Sequence, residues 1–175
     1  MGEEAVSVRY SVNRFTVRTP LKHSELVSRF EAAVPPVPAD RIRPLVERNA
    51  PWQEMLDVIE SSAPLGFLIY HRYASDPVMQ LAGDDGTCVS YLMGNHTIAE
   101  RMFRFEPSIL LYAPLHVAIW AYGEGDACLS FDRPSDQFGS FDNPDITKVG
   151  EELDAKVAAL LAHLNLPMPD GLKSA

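Results

Sequence analysis

Apolar and polar residues alternate from Val6 to Val17: Val6, Val8, Tyr10 and Val12 keep one phase, and Phe15 and Val17 take the other after a slip at Asn13-Arg14. Alternate side chains of a strand point to the same face, so the pattern predicts a half-buried strand with a bulge or tight turn at the slip. Thr19-Pro20 ends it. Leu21, Leu26, Val27 and Phe30 recur at helical spacing, which predicts a helix over 21–33, stopped by the Pro35-Pro36-Val37-Pro38 cluster as a turn or rigid linker. Two short helices are expected at 40–48 and 51–60, the second with Trp52, Met55, Leu56 and Ile59 on one side. The ring-rich and β-branched run 66–73 predicts a strand, and Gly83-Asp84-Asp85-Gly86 a turn into another at 87–93, paired with it as a hairpin or meander.

Thr97-Ile98-Ala99-Glu100 has capping-box spacing, so a helix is expected from His96 to about Phe105. Strands at 115–122 and 127–131 flank the turn Gly123-Glu124-Gly125-Asp126. Asn143-Pro144 supplies an N-cap and a first-turn proline for a long helix, along which Ile146, Val149, Leu153, Val157, Leu160, Leu161 and Leu164 trace an apolar stripe. The order predicts a single α+β domain over 1–166, with helices on one face of a mainly antiparallel sheet and a loosely held tail at 167–175.

Composition narrows the partners. The 175 residues are 46% hydrophobic, enough for a sizeable core, and 15 basic against 24 acidic side chains leave a net charge of -9. That charge repels phosphate backbones and anionic bilayers, so neither nucleic acid nor a membrane is expected as partner. The acidic start Met1-Gly2-Glu3-Glu4 is unlike a secretory signal, and no run approaches the ~20 apolar residues of a membrane span; cytoplasmic residence is the expectation. Cys88 and Cys128 form neither a disulfide framework nor a CxxC pair, and both read as structural thiols in strands.

Candidate chemistry concentrates in the second half of the chain. The strand 115–122 divides into an aliphatic face, Leu115, Val117, Ile119 and Ala121, and a face bearing His116, Ala118, Trp120 and Tyr122, with Cys128, Ser130 and Asp132 of the next strand on the side of His116. Rings mixed with a few hydrogen-bonding groups suit a small-molecule pocket. The same face also suits a homodimer interface or a cover provided by the 34–62 helices. Asn95 is expected to hold a turn, and His96, at a helix start, could exchange a proton, although the positive end of the helix dipole favours its neutral form.

Two uses follow: Asn95, Trp120, Tyr122 and Cys128 around a small, partly apolar ligand, or His96 or His116 as general acid/base with Asp132 orienting it. His71, His96, His116, Cys88 and Cys128 are the available metal ligands, but no two stand at the spacing of a recognised pair, and neither metal nor cofactor is expected. Gly-x-Ser-x-Gly, Walker and Gly-x-Gly-x-x-Gly motifs are absent, and Ser130 and Ser140 have no evident base.

The succession Met93-Gly94-Asn95-His96, then Pro114-Leu115-His116-Val117-Ala118-Ile119-Trp120, then Phe141-Asp142-Asn143-Pro144-Asp145 resembles the family called domain of unknown function 302, in which a Gly/Cys-Asn-Pro turn, a Leu-Pro strand and an Asn-Pro helix start recur in this order. The resemblance implies a TATA-box-binding-protein-like β-α-β4-α arrangement and makes 34–62 a helical insertion. It implies no established chemistry. His96 stands where the family commonly has proline.

Overall fold

In the computed structural model, which describes residues 5–172, five strands form one open antiparallel sheet in the order β1-β5-β4-β3-β2. The strands are β1 (Arg14–Arg18), β2 (Leu68–Ala74), β3 (Gly86–Gly94), β4 (Leu115–Tyr122) and β5 (Cys128–Asp132). The longer helices are α1 (His23–Ala33), α2 (Ala39–Glu47), α3 (Trp52–Ser62), α5 (His96–Phe103) and α7 (Pro144–His163). Two short helices, α4 (Asp76–Gln80) and α6 (Pro134–Gly139), and a 3₁₀ turn at Pro107–Leu111 complete the described chain. No described helix is long and apolar enough to cross a membrane.

The β4 alternation sorts as its sequence requires. Leu115, Val117, Ile119 and Ala121 are buried, while His116 and Tyr122 are exposed. On the buried side, Val89, Tyr91 and Met93 of β3 and Leu129 and Phe131 of β5 join the stripes of α1 and α7 in one core. Rings tighten it: Phe30 packs 4.8 Å from Tyr91, centroid to centroid. At the α6–α7 contact the buried Asp154 accepts hydrogen bonds from Arg133, from the Ser135 amide at 2.9 Å and from the Ser135 hydroxyl at 2.6 Å.

Three sequence expectations are corrected. The strand expected from Val6 forms a ladder only at Arg14–Arg18, and Val6 and Val8 are exposed. Its partner β5 ends at Asp132, opposite Arg14, and Pro134 then turns the chain into α6; residues 6–12 have nothing left to pair with. The Pro35–Val37 segment is more than a linker, because Val37 N–H donates to Ile69 O and Ile69 N–H to Pro35 O, closing the outer edge of β2. Residues 167–172, expected to hang loosely, fold back: Met168 packs on the core and Leu172 is buried within it.

Candidate functional site

The site grows from an irregularity in β2. Pairing with β3 runs Leu68↔Gly94 and Ile69↔Met93, then shifts to His71↔Leu92, so Tyr70 is an extra residue without a cross-strand partner. Such a bulge redirects a side chain that a regular strand would commit to one face. Tyr70 turns toward the first turn of α5, beside the small apolar cluster of Ile59, Ala63 and Leu68 through which α3 meets the sheet. Gly94 leaves room for the approach: a Cβ there would stand 3.1 Å from Pro114 Cβ and 3.5 Å from the Tyr70 ring. The Ala113-Pro114 peptide beside it is cis.

Asn95 is the N-cap of α5. Its Oδ1 accepts from Thr97 N–H at 2.9 Å, from Ile98 N–H at 3.4 Å and from the Thr97 hydroxyl at 2.7 Å, and its Nδ2 donates to Gly66 O at 3.0 Å. The side chain is thus occupied in holding the β3–α5 corner to the segment before β2. This is the conformational role read from the sequence.

His96 opens α5 at that corner. Its Nδ1 lies 2.7 Å from the Tyr70 hydroxyl oxygen, and the two rings meet at 63° with centroids 4.7 Å apart. His96 keeps an exposed side, and partial desolvation by its neighbours lowers its pKa below the ordinary value; burial pushes the Tyr70 phenol up. Both shifts favour the neutral pair, with the phenol holding its proton.

Beside this pair lies a cavity of about 280 Å³. Its walls are apolar: Ile98, Ala99 and Met102 from α5, Leu110, Ala113 and Pro114 before β4, Phe138 from α6 and Leu153 from α7. Tyr70, Asn95 and His96 bring the polar side chains of the lining. The arrangement combines an apolar body with a localised polar rim, the usual form of a small-ligand site.

The other sequence candidates lie apart from it. His116, Trp120, Tyr122, Cys128 and Asp132 belong to the opposite face of the sheet, as the register of β4 and β5 requires. Trp120 donates from Nε1 to Ser130 Oγ at 2.9 Å and meets Tyr122 edge to face at 5.6 Å. Tyr122 is 71% exposed, whereas Cys128 is buried. His116 and Asp132 line one open hollow, but Asp132 pairs with Arg14 at 3.2 Å and no hydrogen bond joins it to His116 among the described residues. The 34–62 helices do not cover this face; their apolar sides go to Leu68 and Tyr70. No group of three or more His, Cys, Asp or Glu side chains among the described residues is placed to hold a metal ion.

The sequence reading missed Tyr70, Phe138 and Leu153 as site residues. The strand pattern of 66–73 located Tyr70 but not the bulge that redirects it, and α6, which carries Phe138, has too few residues to show a period.

Comparison with known proteins places this geometry in context. No curated protein matches the chain. Among solved structures, the crystal structure of an uncharacterized conserved protein DUF302 from Bacillus stearothermophilus superposes with a TM-score of 0.61 at 14% identity, covering 86% of this chain and 97% of that one; the fold is shared. The family model described as Domain of unknown function DUF302 matches residues 54–164, from within α3 through the end of α7, and so includes the bulge, the α5 corner and every wall of the cavity. The chain belongs to the DUF302 family.

Proposed function

We propose that this protein binds a small, largely apolar molecule in the cavity between α5, the segment before β4, and α6–α7, with its polar end at Tyr70 and His96. The observation that carries the reading is the joining of an apolar cavity of about 280 Å³ to a single hydrogen-bonded polar pair at its rim. The volume falls just under the ~300–1,000 Å³ usual for ligand pockets, which selects a compact ligand. Titration with the apolar fluorophore N-phenyl-1-naphthylamine tests it: saturable enhancement at one site per chain supports the reading, and no saturable signal rejects it.

One observation favours a second reading, an enzyme. A neutral imidazole bonded to a phenol can pass a proton between the cavity and solvent, so His96 is the candidate general acid/base, positioned by Tyr70 rather than by Asp132. Homodimerisation is proposed separately, through the far sheet face on which His116 and Tyr122 stand exposed.

A further inference from the structure

Tyr70, Asn95 and His96 are the side chains of the cavity lining with hydrogen-bonding groups, and their existing bonds restrict what each can still offer. Asn95 is committed: its carbonyl oxygen caps α5 and its amide nitrogen donates to Gly66 O. Tyr70 has one hydrogen to donate, and the acceptor within reach among the described residues is His96 Nδ1, 2.7 Å away.

If Tyr70 donates, Nδ1 is the acceptor and the imidazole proton sits on Nε2. The opposite assignment, Nδ1–H to the phenol oxygen, would leave the half-buried O–H with solvent alone as acceptor, whereas the first assignment satisfies it within the protein. Partial desolvation, which disfavours a charged ring, favours the neutral form with one proton to place. The imidazole nitrogen left without a partner among the described residues is then Nε2–H, a donor on a ring that lines the cavity.

From this geometry we infer that the cavity takes an apolar molecule carrying a hydrogen-bond acceptor, a carbonyl or carboxylate oxygen, which receives His96 Nε2–H while Tyr70 holds the ring in that tautomer. The inference rests on the ligand-binding reading above and adds the chemistry of the ligand's head. An amine of the same length has a donor or cationic head and finds His96 Nε2–H opposed to it.

The test has a structural and a binding arm. Nitrogen-15 spectra of wild-type protein at pH 7.5 should show His96 with a pyrrole-type Nε2 and a pyridine-type Nδ1, and Tyr70→Phe should let the two tautomers mix. In displacement of N-phenyl-1-naphthylamine, 2-octanone or octanoate should compete at a concentration at least about tenfold below 1-octylamine. Tyr70→Phe should shrink that preference to about threefold or less, each competitor being scored against the fluorophore affinity of the variant itself. An Nδ1–H tautomer in wild type, or octylamine competing as well as the ketone, would overturn the assignment of the head even with the fluorophore bound. Failure of the fluorophore to bind wild type would instead remove the pocket reading, and the ligand class with it.

Discussion

Tyr70 and His96 meet because a bulge in β2 and the N-terminus of α5 converge on Gly94: the phenol oxygen of one lies 2.7 Å from Nδ1 of the other. Neither residue would reach the other from a regular β2. The bulge places Tyr70, the Asn95 cap fixes the first turn of α5, and apolar walls from three other segments line the space beside them.

Removing the cap should therefore weaken both stability and binding. Asn95→Ala loses the bonds to Thr97, Ile98 and Gly66, with an expected cost of about 1–2 kcal/mol in urea unfolding and a several-fold loss of fluorophore affinity. Asn143 makes the same capping bonds at α7, to Asp145 and Ile146, away from the cavity; Asn143→Ala should cost a similar amount and leave affinity unchanged.

Partial desolvation of His96, which keeps an exposed side, makes a small part of the folding stability depend on pH. Its pKa is lower in the folded chain than the ordinary 6.5, so as pH falls the unfolded chain takes up the proton first. The stability is present in full above about 6.5, is lost as pH falls through the folded pKa, and falls no further below it. His96→Gln should flatten this step in the difference between the two stability–pH curves; parallel curves from pH 7.5 downward would show that the ring is not desolvated.

Gly150 offers a test of the cavity's far wall. A Cβ there would approach Ser135 Cα to 3.0 Å and Phe138 Cβ to 3.1 Å, pushing α6 away from α7. Helix propensity alone favours alanine over glycine by ~0.5–1 kcal/mol. Gly150→Ala is nevertheless expected to destabilise by about 1–3 kcal/mol, as overpacking does, and to alter binding through Phe138. A stabilised variant with unchanged binding would contradict the tight α6–α7 contact.

His116 supplies the control on the opposite face. It is exposed, on the far side of β4 from the cavity, and His116→Gln should shift stability by no more than ~0.5 kcal/mol and leave fluorophore affinity as it was.

Much of the fold could be read along the chain because period is a local property. The two faces of β4, the α7 stripe and the Asn143-Pro144 start each declare themselves within a few residues. Alternation at 6–12 misled because a strand needs a partner as well as a pattern, and β5 ends too early to supply one. At the site, the sequence identified His96 and Asn95 but grouped them with His116, Trp120 and Tyr122. Register puts that second set on the other side of the sheet. What joins Tyr70 to His96 is a one-residue shift in pairing between strands, and neither strand's own pattern records it.

The most direct measurement compares fluorophore affinity in wild type and in Ala99→Phe, whose added ring occupies the cavity from α5. Filling the space should lower affinity at least about tenfold while thermal unfolding stays cooperative and no less stable. Equal affinity in a folded Ala99→Phe protein would place the bound molecule elsewhere and contradict the account.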